Sequence, residues 1–369
     1  LAAGGWRAHK VAPIIAMAGC AGALIWPILR PISVKRRLLA VAVAGLILRL
    51  IAFWLTPLVV ESADMLPLIK AANESFLAGA SPYRLYNLHS WPLPLPYLPG
   101  AWLAYLPAVA LGLDLRLINA LAELIVLGVL AFASRNRNSS PLGVLVAMLI
   151  YLSPSIVIFD IYTEHPIFWM LIVLLLALLA AGRFWIAALV WGVALATSPF
   201  ALTASPFVAL YLARATSPKK WWKPAALAAA SFLALTAPFV VWAPREFFHG
   251  TFTWLNDLDI VGLSSWAIHG HQQLFAIGFA GWFWYFGWEQ ALKPVQVALV
   301  LAILVYYWKR RREAGALLSC SSLWAYTLFV CFNVVIWPRH YGPTLCLAAL
   351  TIVHRLSAQP DGAGKPAAC

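Results

Sequence analysis

The chain has 369 residues, 63% of them in the hydrophobic set and 11% charged, with a mean hydropathy of +0.83. Soluble domains carry about 25% charged and about 45–50% apolar residues, so this composition excludes an ordinary soluble enzyme and a disordered chain; it is that of a polytopic membrane protein. The net charge of +13 does not point to nucleic acid, because the basic residues fall in short bursts between apolar runs.

A helical span needs about 20 mostly apolar residues. In chain order the apolar runs are Val11 to Leu29, Leu38 to Val60, Leu115 to Ala133, Pro141 to Phe159, Pro166 to Ala181, Phe184 to Ala213, Pro224 to Trp242, Val295 to Trp308, Ala314 to Trp337 and Tyr341 to Leu356. Two others, Tyr97 to Leu113 and Gln272 to Trp288, are shorter or interrupted. The expected fold is an all-α bundle of about 10–12 transmembrane helices, one domain over residues 1–356 followed by a disordered tail, 357–369, rich in Pro and Gly. No small-residue cleavage pattern follows the first run, so a cleaved signal peptide is not expected. Cys20, Cys320, Cys331, Cys346 and Cys369 form no CxxC or Cys/His cluster and read as apolar residues rather than a disulfide framework or zinc site.

The clusters Arg30/Lys35/Arg36/Arg37, Arg135/Arg137, Arg183, Arg214/Lys219/Lys220/Lys223, Lys309 to Arg312 and Arg355/Lys365 hold 17 of the 26 basic residues. The positive-inside rule assigns them to the cytoplasm. The remaining connections, chiefly 61–96 and 243–294, then lie outside and carry most of the acidic residues and histidines. This sidedness requires Tyr97 to Leu113, broken by Pro99 and Pro107, to be re-entrant or interfacial. It also requires Phe184 to Ala213 to be a hairpin turning at Thr197 to Pro199. Arg49 and Glu123 stand inside apolar runs, where charged residues face the bundle interior and pair with each other. Trp282, Trp284, Tyr285 and Trp288 read as an interfacial aromatic belt.

In the first outer loop, Pro67 to Ala78 places Leu68, Ala71, Ala72, Phe76 and Leu77 at helical spacing between Lys70, Asn73 and Glu74, the pattern of an amphipathic helix lying on the membrane surface. Gly79 ends it, and Ser81-Pro82 resumes an extended chain. Asp64 stands just after a span and just before this helix. Its other plain reading is a helix N-cap. With Glu61 three residues earlier on the same helical face, mutual repulsion would raise one carboxyl pKa toward a working range.

Asp64, Ala71-Ala72, Leu77-Ala78-Gly79, Ser81-Pro82-Tyr83 and Tyr97-Leu98-Pro99 together resemble the GT-C class of polyprenyl-phosphate-sugar-dependent glycosyltransferases. The pattern is most like that of mannosyltransferases using polyprenyl- or dolichyl-phosphate mannose. Gly192 to Pro199 followed by Pro206 is similar to a family segment in which a lysine stands near Thr197 or Ser198. His271-Gln272-Gln273-Leu274 is similar to an outer-loop element, and Arg339-His340-Tyr341 resembles a signature opening the last helix.

The resemblance implies an inverting transferase with Asp64 as the base, Glu61 as the fallback, and a lipid-linked sugar as donor. Such chemistry needs a base for the acceptor hydroxyl, cations for the departing phosphate and exclusion of water. For the phosphate the outer cations are Arg339 and His340 first, then Lys70 and Arg84. Asp257, Gln272 and Gln273, among aromatic residues, suit a sugar and its acceptor, with Tyr83, Glu164 and His165 as further substrate-side residues. His269 or His271 is an alternative base or relay. No cofactor is implied; the His-Gly-His spacing near Asp257 and Asp259 raises a divalent metal, but no set ligand spacing backs it. The partners expected are the lipid-phosphate sugar, a lipid or glycan acceptor and membrane lipid, with no nucleic acid. The setting is a plasma membrane with the site facing the periplasm, or the ER lumen in a eukaryote. The competing class is a transporter or lipid flippase without sugar transfer, which predicts matching broken helices in two halves.

Overall fold

The computed structural model describes residues 17–26, 33–58, 64–88, 92–134, 141–159, 163–216, 220, 222–254, 279–310, 314–332 and 341–358. Among these, four helices are long and apolar enough to cross a membrane, and six shorter apolar helices accompany them. The protein is a multi-pass, mostly helical membrane protein.

The first two helices are α1 (Met17–Trp26) and α2 (Val34–Leu55), the latter opened by Ser33, whose side chain accepts from the Arg36 amide. The amphipathic helix α3 spans Met65–Leu77. It ends in a glycine-centred cap: Gly79 adopts φ 75°, its amide reaches Phe76 O at 3.0 Å, and the Ala80 amide reaches Ser75 O at 2.9 Å. The chain then forms a two-residue antiparallel ribbon, β1 (Leu85–Tyr86) against β2 (Leu93–Pro94), so the first loop is not purely helical. Tyr97 to Leu113 becomes two five-residue helices, α4 (Pro99–Leu103) and α5 (Leu106–Ala110), each with proline in its first turn and neither able to span a bilayer.

The bundle proper follows with α6 (Arg116–Ala133), α7 (Pro141–Tyr151) and α8 (Pro154–Phe159). Pro141 to Phe159, expected as one run, is thus broken before Pro154, which has no amide hydrogen to donate and disfavours helix in Ser153. Next come α9 (His165–Ala180), α10 (Phe184–Thr197), a 3-10 turn over Pro199–Thr203 and α11 (Ser205–Ala215). The reversal falls where Ser198 turns extended ahead of Pro199. Trp191 Nε1 donates to Ser205 Oγ at 2.9 Å and the Phe184 ring lies 6.5 Å from Tyr211, so α11 runs back along α10.

The remaining elements are α12 (Trp222–Trp242), α13 (Pro244–Phe248) with a π-turn at His249–Thr253, α14 (Phe279–Tyr285), α15 (Glu289–Lys309), α16 (Ala314–Cys331) and α17 (Gly342–Ala358). Further expected boundaries move here. The second loop loses 289–294 to α15, which carries Pro294 inside it, and the last helix continues two residues past Leu356. Residues 359–369 lie outside the described residues.

Helix α9 is apolar around its whole circumference, and it occupies the centre, packed against α6, α10, α16 and α17. α12 and α15 bury little of themselves and turn most of their surface outward. Inside the bundle Arg49 and Glu123 pair, with Arg49 Nη2 donating to Tyr151 O at 2.9 Å and its guanidinium 4.1 Å from the Tyr151 ring centroid. That is the expected pairing of isolated intramembrane charges. Cys20, Cys331 and Cys346 are free thiols.

Candidate functional site

Contacts between helix termini define two ends of the bundle. At the end carrying the first loop, Arg116 at the start of α6 donates to Thr56 O at 2.5 Å and Phe53 O at 3.1 Å, closing the carbonyl terminus of α2. Asn119 Nδ2 donates to Thr163 O at 2.7 Å, bringing in the start of α9, and the start of α17 meets it where Gly342 presses on the Trp169 indole. Gly100 in α4 lies so close to Ala196 O and Thr197 Oγ1 that a side chain there would collide with the end of α10. At the opposite end, Arg214 donates to Trp308 O at 2.6 Å and Tyr211 to Leu179 O at 3.1 Å, which gathers the C-termini of α9, α11 and α15. Arg183, Arg214 and Lys309 therefore share one end, and Asp64, Glu74 and Glu164 the other.

At the loop end α3 packs against α4 and α5. Leu66, Ile69 and Ala72 are fully covered by protein, and of the expected surface face Leu68 and Ala72 are buried while Leu77 stays exposed. Asn73 is the fastener: buried on α3, it donates through Nδ2 to Trp102 O and Ile69 O, both at 2.9 Å. Around it the rings of Phe76, Tyr83 and Trp102 meet those of Phe239 and Phe247, with Tyr83 and Phe247 centroids 4.8 Å apart. Gly250 in the π-turn abuts Leu95 O. The two long loops, far apart in sequence, are joined by this aromatic cluster.

Asp64 immediately precedes α3 and is half-buried. It occupies the N-cap position, its carbonyl accepting from the Leu68 amide at 2.8 Å, but its side chain makes no capping hydrogen bond to the helix. Lys70 and Glu74 form an exposed i,i+4 pair at 3.8 Å on the opposite ridge, worth a few tenths of a kcal/mol at most. Arg84 is exposed, its guanidinium 5.2 Å from the Tyr86 ring. Tyr83 departs from its expected role as a sugar-binding residue. It is 1% exposed, its hydroxyl donates to Tyr97 O at 2.9 Å and accepts from Trp102 Nε1 at 3.3 Å, and burial pushes its phenol pKa far up. It builds the scaffold beneath the loop.

Glu164 and His165 open α9, with Nε2 to Oε1 at 3.8 Å. Sequence reasoning missed the network beside them: Tyr105 donates to Asn119 Oδ1 at 2.5 Å, and Asn119 in turn holds Thr163. The signal available was the same that flagged Arg49 and Glu123, since Arg116 and Asn119 are polar residues in an apolar run. Thr197 and Ser198, where the family pattern has a lysine, use their hydroxyls locally: Thr197 donates to Val193 O at 2.8 Å and Ser198 accepts from the Phe200 amide at 3.3 Å. Glu61, Asp257, His269, His271, Gln272, Gln273, Arg339 and His340 lie outside the described residues. Among the described residues no group of three His, Cys, Asp or Glu side chains is placed to hold a metal ion.

No family model matches the chain, and no curated protein matches it. A similar solved structure is the crystal structure of ArnT from Cupriavidus metallidurans bound to undecaprenyl phosphate, 15% identical, with a TM-score of 0.48 over 79% of this chain and 55% of that one. The chain thus spans about half the length of that protein.

Proposed function

We propose that this protein is a membrane-embedded inverting glycosyltransferase that moves a sugar from a polyprenyl-phosphate donor to a hydroxyl on a lipid or glycan acceptor. Mannose is the sugar favoured by the sequence pattern, and the reaction takes place on the outer, periplasmic or lumenal side. The observation that carries the proposal is the setting of Asp64. A carboxylate not used to cap its helix precedes an α3 locked by Asn73 and the aromatic cluster onto a second loop rich in sugar-binding residue types. A base on a rigid element keeps its geometry through the reaction.

In the proposed step Asp64 takes the proton of the acceptor hydroxyl, whose oxygen attacks the anomeric carbon from the face opposite the phosphate. The new C–O bond forms as the bond to the phosphate oxygen breaks. The electron pair stays on the departing polyprenyl phosphate, and the sugar inverts. The phosphate is already a stable anion, so it needs cations rather than an acid. Lys70 shares its charge with Glu74, which leaves Arg339, His340 and Arg84 as the phosphate set. Glu164 and His165 border the acceptor side, together with Asp257, Gln272 and Gln273; Glu61, His269 and His271 are the reserve bases.

The test is transfer by purified protein in nanodiscs from radiolabelled polyprenyl-phosphate mannose to a total lipid extract, with Asp64→Asn and Asp64→Ala beside wild type. Loss of a general base lowers the rate by about 100-fold or more. A folded Asp64→Asn variant at the wild-type rate removes Asp64 as base. No product from wild type with mannose, arabinose or glucose donors would favour transport over sugar transfer.

A further inference from the structure

A cleft between the first two helices is remote from the loop end and plays no part in the sugar-transfer reading. Helices α1 and α2 touch where Gly19 faces Leu48 and where Cys20 is buried, then diverge toward Trp26 and Arg36. The result is a V-shaped groove of about 630 Å3, within the size range of ligand sites, lined by Gly22 and Trp26 on one side and by Ala40, Ala44 and Ile47 on the other. A side chain added at Gly22 would meet nothing within 4 Å, so the groove is open there. Its walls are hydrocarbon apart from its wide end, where Arg36 contributes to the lining.

We infer that this groove holds one acyl chain of an anionic phospholipid whose phosphate rests on Arg36. Three features at the wide end favour a negative headgroup. Arg36 makes no ion pair among the described residues, Lys35 is exposed beside it, and both lie in the first turn of α2, where the helix dipole presents its positive end. Trp26, 54% exposed at the same end, has the amphipathic ring that settles at the headgroup level. A neutral lipid would fill the apolar V equally well but would leave Arg36 without a counter-charge, whereas an anionic one gains about 1 kcal/mol per basic residue at the surface, or about fivefold in occupancy.

The experiment uses the full chain in nanodiscs doped with phosphatidylglycerol or phosphatidylcholine bearing a photoreactive diazirine on one acyl chain, with labelled peptides read by mass spectrometry. Wild type should label on α1 and α2 about fivefold more with phosphatidylglycerol than with phosphatidylcholine. Arg36→Gln should lower that preference and Arg36→Lys keep it. Gly22→Leu, which fills the groove without touching the charge, should lower labelling by both lipids. Equal labelling by the two lipids in wild type, or unchanged labelling in Gly22→Leu, overturns the inference. Absence of lipid adducts on α1 and α2 with either lipid also overturns it.

Discussion

Arg116 and Asp114 show how a single residue ties helices together at the loop end. Arg116 is buried and caps the carbonyl terminus of α2, and Asp114 neutralises it through Oδ2 at 2.5 Å while accepting the Arg116 amide at 2.9 Å. Burial by itself would raise the Asp114 pKa, but the hydrogen bonds and charge of Arg116 outweigh it and hold the carboxyl below the usual carboxylate range. A folded pKa below the unfolded one gives stability that is fully present above the unfolded value and is lost as pH falls through the folded value. The loss is therefore expected below about pH 4. In detergent, Asp114→Asn should unfold at a lower temperature than wild type at pH 7 and lose less on acidification from there. Parallel curves with equal midpoints at pH 7 would show that the pair contributes nothing. Of the charged residues in apolar runs, the Arg49–Glu123 pair was legible in the sequence because two opposite lone charges in hydrocarbon have few other partners. Arg116 carries the same signal, but its link to α2 was not legible, since those partners are backbone carbonyls that any helix end provides.

The element that matters most for the proposed site is α3. Its existence and its end were readable from spacing and from Gly79, because periodicity and left-handed caps are local properties. Its neighbour was not, since an apolar face fits a lipid surface and a protein groove equally well. The structure covers that face with α4 and α5 and clamps it with the cluster of Tyr83, Trp102, Phe239 and Phe247. Phe247 is 2% exposed, so Phe247→Ala should destabilise the protein by about 3 kcal/mol and loosen the seam between the two loops. Limited proteolysis should then cut within residues 78–98 faster than in wild type, and an unchanged pattern with an unchanged unfolding midpoint would count against the clamp. The same packing explains why Tyr83, an attractive sugar-stacking residue on paper, is spent on the scaffold: nothing local to Ser81-Pro82-Tyr83 says which way the ring turns.

Across the whole molecule, helix-end contacts sort Arg183, Arg214 and Lys309 to one end and α3 with Asp64 and Glu164 to the other, and the positive-inside rule proposes the first end as cytoplasmic. In intact cells a membrane-impermeant maleimide should therefore label cysteines placed at Lys70 and Arg84 but not at Lys220 or Lys309; labelling of the second pair would invert the topology. Composition and basic bursts determined the membrane class and the expected orientation, because hydrophobicity and charge asymmetry act on each segment separately. Proline positions likewise told where Tyr97 to Leu113 and Phe184 to Ala213 break. Only the tertiary structure decided that α9 is the central helix, that α3 is walled in by α4 and α5, that Asn119 and Tyr105 brace the start of α9, and that α1 and α2 part into a groove. Each of these depends on which apolar face meets which, and the hydrophobic effect rewards burial without naming the partner.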